Sequence, residues 1–173
     1  MDFYELVKAR YSVRKYADKP VEEEKLQKVL AAGAAAPTAK NQQPQHIYVL
    51  ESKEAIEKIR GITRCAFDAP VVLLVCGDKE KAWTNPFNDR NSAEMDCSIV
   101  TTQMMLQAQE LGLGTCWVCW FDTALTKQTF GIPENEEVFA LLPLGYPAEV
   151  SKPSSMHEAA RHWKKRWCAC EAE

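Results

Sequence analysis

The chain has 173 residues, 46% of them hydrophobic, and a formal net charge of −3, which suits one domain spanning 1–173 or a domain completed by a second copy of itself. Net acidity argues against nucleic acid as the main partner, and no run of about 18 apolar residues is present to span a bilayer. Seven cysteines, an odd count behind a start with no basic-then-apolar leader, read as reduced thiols in a cytoplasmic protein.

Asp2 with Glu5 three residues on forms a candidate capping box, and Phe3, Leu6 and Val7 at helical spacing predict a first helix to about Arg10. Arg10-Tyr11-Ser12-Val13-Arg14 follows it. In an extended segment Arg10, Ser12 and Arg14 share one face while Tyr11 and Val13 share the other. Two guanidinium forks flanking a hydroxyl suit the oxygens of a phosphate, although a short basic patch also suits a solvated face.

Asp18-Lys19-Pro20 marks a second helix start, three glutamates favour its positive end, and Leu26, Val29, Leu30 and Gly33 form its apolar stripe. It must stop before Pro37, which opens the loop Pro37-Thr38-Ala39-Lys40-Asn41-Gln42-Gln43-Pro44. A strand is expected from His46 to Leu50, with His46 structural, then a helix from Lys53 to Ile62 capped by Ser52. Pro70 to Cys76 is apolar at every position, as a strand covered on both faces requires. Residues 77–91 lack periodicity and carry Trp83 and Phe87, which could form a lid or cover core. A helix about 30 Å long is predicted from Ser92 to Leu111, with apolar lines at Met95, Ile99, Leu106 and at Val100, Met104, Leu111, implying burial over much of its surface.

Gly112 and Gly114 end that helix, and Thr115 to Phe121 reads as a buried strand. A helix from Thr123 to Phe130 and a strand from Val138 to Leu144 follow. Ser155 with Glu158 could open a last helix carrying Trp163 and Trp167 on one face, suited to packing on a partner subunit. The order indicates an α+β or α/β sandwich around four or five strands. Cys116-x-x-Cys119 has redox spacing, but positions three apart do not share a strand face, so a dithiol role is disfavoured. Cys168 and Cys170 with His157 and His162 lack the two separated ligand pairs of a structural metal site.

Four of these stretches together resemble the FMN-dependent nitroreductase family: Arg10-x-Ser12-x-Arg14 after an amphipathic helix, Ala36 to Pro44 before a strand, Leu111-Gly112-Leu113-Gly114-Thr115-Cys116-Trp117 at the end of a long helix, and Leu144-Gly145-Tyr146-Pro147 at the end of a strand. The resemblance covers nearly the whole chain. It implies an α+β fold with a mainly antiparallel sheet, an obligate homodimer with FMN at the subunit interface, and NADH or NADPH as electron donor. The implied reaction reduces a small-molecule acceptor such as a nitroaromatic or quinone in two half-reactions through flavin N5. Reductive dehalogenation, ene reduction, or flavin storage without turnover are the alternatives it leaves.

On this resemblance Arg10 and Ser12, with Tyr11 beside them, bind the FMN phosphate, and Arg14 reaches the ribityl chain or the pyrimidine edge. Pro37, Thr38, Ala39 and Asn41 approach from the other subunit, backbone near Val118 and Cys119 lies by the ring, and Lys152 adds a second cation for the phosphate. Trp83, Phe87 and Trp120 are the candidate substrate contacts. No acid/base set is expected, because a flavin carries the hydride chemistry itself. Two departures stand out. Cys119-Trp120 replaces the small residue many members place beside the flavin, and Lys152 is followed by Ser154 and Ser155 where further basic residues are common, leaving Arg161 as a substitute.

Overall fold

The computed structural model describes residues 2–157. Five α-helices surround one four-stranded sheet: α1 (Phe3–Ala9), α2 (Glu23–Ala34), β1 (Gln45–Leu50), α3 (Lys53–Ile62), β2 (Val71–Asp78), α4 (Ala93–Glu110), β3 (Gly114–Thr115), α5 (Thr123–Phe130) and β4 (Glu136–Gly145). Strand order is β1-β2-β4-β3, and every neighbouring pair runs antiparallel. The fold is α+β. The expected last helix and the Cys168/Cys170 tail lie outside the described residues; among the described residues no helix is long and apolar enough to cross a membrane.

Residue choice explains the layering. All eight residues of β2 are buried, because alternate side chains enter cores on opposite faces of the sheet. Val71, Leu73 and Val75 pack with Leu26, Val29, Val100 and Met104 of α2 and α4. Val72, Leu74 and Cys76 pack with Ile56 and Ile59 of α3 and with Ile132 beyond α5. A register shift opposite Val75/Cys76 lets Phe139 and Ala140 both face the α2/α4 layer, as an extra residue in one strand does.

Helix ends follow the residues that cap them. Asp2 accepts the amide of Glu5 at 3.0 Å, Ser52 that of Ala55 at 3.2 Å, and Asp122 that of Leu125 at 2.9 Å. Helix α2 begins at Glu23, later than Pro20 suggests, and ends at Ala34 before Pro37. Its Lys25 donates to the Leu111 carbonyl at 3.0 Å and to the Tyr146 hydroxyl at 2.7 Å, so one ammonium closes the end of α4 and holds the chain after β4.

Two sequence expectations change. The strand foreseen over Thr115 to Phe121 is paired only at Gly114–Thr115, with Val118 forming a single bridge to Leu141. Thr115 must serve two neighbours: β4 takes one edge of the segment, and Val13 donates its amide to the Thr115 carbonyl at 2.9 Å on the other. Helix α4 is buried on the Val100 and Met104 side, whereas Met95 and Ile99 are 39% and 41% exposed, so the Met95–Ile99 line is left partly open among the described residues.

A Cβ on Gly114 would lie 2.4 Å from Val13 Cγ2, and one on Gly145 would lie 2.6 Å from Pro70 Cδ. Only glycine lets the 10–17 segment dock so closely on β3. Gly114→Ala should therefore cost about 1–3 kcal/mol of stability through overpacking, read from urea denaturation midpoints at unchanged m-value; an unchanged midpoint would show that Val13 does not sit here.

The buried Glu136 carboxylate accepts the Tyr48 hydroxyl at 2.9 Å and lies 2.8 Å from His46 Nδ1. Burial, and then the bond to Glu136, push the Tyr48 hydroxyl up to about 12. A raised folded-state value means that its stabilisation is intact below about pH 10, the ordinary tyrosine value, and is lost as pH rises towards 12. Tyr48→Phe should flatten that alkaline limb in thermal melts taken across this range; an equally steep loss would assign it to other groups.

Candidate flavin site

Backbone pairing turns the Arg10–Arg14 segment into a short edge strand. Ser12 bridges Thr115 in parallel and Tyr16 bridges Pro147 antiparallel. Ala17 donates to the Tyr146 carbonyl at 2.8 Å, and Ala148 donates to the Lys15 carbonyl at 3.0 Å. Val13 is fully buried, and this fixes the alternation: with Val13 inward, Ser12 and Arg14 turn outward.

Outside, Arg10, Tyr11, Ser12 and Arg14 line one small cavity of about 110 Å³ with Ser154, Met156 and His157. Among the described residues, its lining includes two guanidinium groups and two serine hydroxyls. The chain after β4 folds back to close it: the Tyr11 hydroxyl donates to Ser151 Oγ at 3.2 Å, His157 packs edge-on to Tyr11, and His157 Nε2 lies 3.3 Å from the Lys8 carbonyl. The donor set and the size fit a single phosphate group.

Lys152, expected as the second cation, is exposed and does not line this cavity; Ser154 and His157 occupy that side. The sequence offered little sign of them, because serine and histidine become visible as site residues only once the return path of the chain is known. Arg161 lies outside the described residues.

Beneath the segment, burial pushes the Cys116 thiol up, with Arg14 and a hydrogen bond from Ser12 opposing it. Burial also holds the Tyr16 hydroxyl far above the usual range; it lies 3.0 Å from the Val13 carbonyl and 3.1 Å from that of Pro143. Both groups are neutral supports. Cys116 is buried and Cys119 exposed, so the two sulfurs do not pair. The Trp117 indole donates to Cys119 Sγ at 3.2 Å, and Trp120 is 72% exposed.

Pro37, Thr38, Ala39 and Asn41 stand elsewhere, on a loop held to the start of α4. Residues Ala39–Asn41 form a 3-10 turn, and Lys40, Asn41 and Gln43 all have positive φ without being glycine. The Ala39 amide donates to Asp96 Oδ1 at 2.9 Å, and the Gln43 amide donates to Thr38 Oγ1 at 3.0 Å. Asp96 was not singled out from the sequence; an aspartate in the first turn of a helix reads as a dipole contact. Residues 79–91 form a hydrogen-bonded excursion in which Thr84 bridges Asn91, Trp83 is half-buried, and Phe87 is 94% exposed.

Between α1 and α4 runs an apolar groove of about 450 Å³ lined by Phe3, Val7, Arg10, Thr102, Met105, Leu106 and Trp117. Arg10 belongs to both this groove and the phosphate-sized cavity. The 37–43 loop meets α4 at Asp96, whereas the groove meets it at Thr102, Met105 and Leu106. At 1.5 Å per residue these lie roughly 9–15 Å apart along the axis. Pro37, Thr38, Ala39 and Asn41 line neither this groove nor the phosphate-sized cavity.

The nitroreductase family model matches residues 7–68 and 61–146. A nitroreductase family protein from Clostridium difficile 630 superposes with a TM-score of 0.91 at 43% identity, covering 100% of both chains. An FMN-dependent nitroreductase from Clostridium difficile R20291 gives a TM-score of 0.75 at 30% identity, over 92% of this chain and 95% of that one. In sequence, the FMN reductase [NAD(P)H] of Bacillus subtilis is 29% identical over 87% of this chain and 69% of its own length. The chain belongs to the nitroreductase family.

Thiol reactivity tests the placement of the Trp117–Trp120 stretch. Brief alkylation of the native protein at pH 8 followed by peptide mapping should modify Cys119 and spare Cys76, Cys97 and Cys116, whose thiols burial pushes up. Modification of Cys116 as fast as Cys119 would contradict the buried support described above.

Proposed function

We propose that this protein is an FMN-dependent NAD(P)H oxidoreductase acting as a homodimer, with a nitroaromatic, quinone or similar conjugated electrophile as acceptor. The observation that carries the reading is the convergence of Arg10, Ser12 and Arg14 on one phosphate-sized cavity, with Arg10 also lining the neighbouring apolar groove. Family membership and the FMN-dependent relatives support the choice of flavin. When bound, FMN accepts hydride from NAD(P)H and passes it to the acceptor.

The residues of this chain supply binding and electrostatics. Arg10 and Ser12 hold the phosphate, with Tyr11, Ser154 and His157 closing that end. Arg14 is placed to stabilise negative charge that develops at the pyrimidine edge. Backbone near Val118 and Cys119 borders the ring. Trp83, Phe87 and Trp120 are the aromatic groups available to contact an acceptor. Lys152, off the cavity, contributes long-range positive charge at most.

The proposed dimer would join the two parts of the site. Met95, Ile99, Thr102 and Leu106 recur along one face of α4 and continue into Phe3 and Val7 of α1, an apolar surface left partly exposed among the described residues. A two-fold axis across α4 pairs the start of the helix in one copy with its end in the other. That exchange carries Pro37, Thr38, Ala39 and Asn41 of one subunit towards the arginines of its partner.

Flavin storage without turnover is separated by one observation. Anaerobic NADH or NADPH should bleach the bound-flavin absorbance promptly, and a persistent spectrum would favour storage. Arg10→Ala should weaken FMN binding by about 1.5–3 kcal/mol, the worth of a charge-assisted hydrogen bond, measured by fluorescence titration. Unchanged affinity would overturn the phosphate assignment.

A further inference from the structure

The 37–43 loop, which the reading above brings to the flavin, holds a backbone conformation that needs support. Three of its residues, Lys40, Asn41 and Gln43, sit at φ values of 51°, 55° and 48°. Left-handed backbone in a side-chain-bearing residue is strained and persists only where the surroundings over-determine it. Bonds within the loop do part of this: Asn41 donates its amide to the Thr38 carbonyl at 2.9 Å, and Gln43 Nε2 donates to Asn41 Oδ1 at 2.9 Å. These fold the loop on itself but do not orient it on the protein.

Asp96 does. Its side chain is almost wholly buried, with the residue 2% exposed. Oδ1 accepts the Ala39 amide at 2.9 Å, and Oδ2 accepts the Ser92 hydroxyl at 2.7 Å. Ser92 precedes α4, donates its own amide to the Trp83 carbonyl at 2.8 Å, and accepts that of Asp96 at 2.9 Å on its carbonyl. The carboxylate thus joins three pieces of chain: the 37–43 loop, the first turn of α4 and the end of the Trp83 excursion.

We propose that Asp96 is a positioning residue for the flavin, fixing the 37–43 loop on the start of α4 so that the loop meets the cofactor of the partner subunit in one geometry. The proposal rests on the FMN reading above. A buried carboxylate suits the task because it accepts two bonds at a fixed angle, and α4 is the rigid helix on which the same reading builds the dimer. Any tilt of the loop would move Thr38, Ala39 and Asn41 together relative to the flavin. Asparagine can keep both bonds, its carbonyl facing Ala39 and its amide facing a reoriented Ser92 hydroxyl; alanine keeps neither.

The test compares wild type, Asp96→Ala, Asp96→Asn and Ser92→Ala by FMN titration, by the rate of flavin reduction at saturating FMN and NADPH or NADH, and by amide hydrogen exchange over residues 38–43. Asp96→Ala is expected to lower FMN affinity by about tenfold to a hundredfold, slow reduction even when saturated, and speed exchange in the loop. Asp96→Asn is expected to stay within about threefold of wild type, with Ser92→Ala between. Were Asp96→Ala not to fold, Ser92→Ala and Asp96→Asn would carry the comparison. An Asp96→Ala or Ser92→Ala protein that melts earlier yet binds FMN, reduces it and exchanges as wild type does would make Asp96 purely structural and overturn the proposal. Wild type that takes up no FMN would instead defeat the cofactor reading, while exchange would still decide whether Asp96 anchors the loop.

Discussion

Everything about the site depends on a strand that is barely a strand. Residues 12–17 are pinned by the Val13 amide on Thr115, by the Ser12–Thr115 and Tyr16–Pro147 bridges, and by Val13 sinking into the core. Period-two alternation does the rest, because a residue locked inward forces its neighbours out. Arginine side chains are costly to bury and gain most when aimed at an anion. The backbone here carries the segment on its own hydrogen bonds, and Arg14 Nη1 donates back to the Ser12 carbonyl at 3.4 Å.

On the proposed reading the site has two parts, and helix α4 carries both: it touches the 37–43 loop at its first turn and the α1 groove from Thr102 onward. The proposed second copy would bring them together across the surface where Met95 and Ile99 are exposed. Stability and function share residues in this arrangement. Lys25, which closes α4 on Leu111, also holds Tyr146, which accepts the Ala17 amide on its carbonyl behind the arginine segment.

Much of this was legible in the amino-acid sequence because local chemistry and tertiary outcome agree. The fully apolar run at 71–76 became the central strand, Ser52 capped its helix, and the two prolines bounded the loop they were expected to bound. Arg10, Ser12 and Arg14 line one cavity as the alternation expects, but Tyr11, expected on the face of Val13, lines it too, because the segment is bridged to its neighbours only at Ser12 and Tyr16. What could not be read was set by long-range partners. Thr115 to Phe121 has strand-like residues but is shared between β4 and the 10–17 segment, so little of it is regular. Ser154 and His157 gained their places from a chain reversal that no local signal encodes, and Lys152 lost its expected place for the same reason. Asp96 looked like an ordinary helix-start acid until its loop partner was known.

The central claim, that the Arg10–Arg14 cavity exists to hold a phosphate, is tested most directly by comparing FMN with riboflavin, which carries the same ring and ribityl chain without the phosphate. Equilibrium titration of the apoprotein followed by flavin fluorescence should show FMN binding at least about tenfold more tightly, as one or more charge-assisted hydrogen bonds require. Equal affinity for the two, or no uptake of either, would contradict the account.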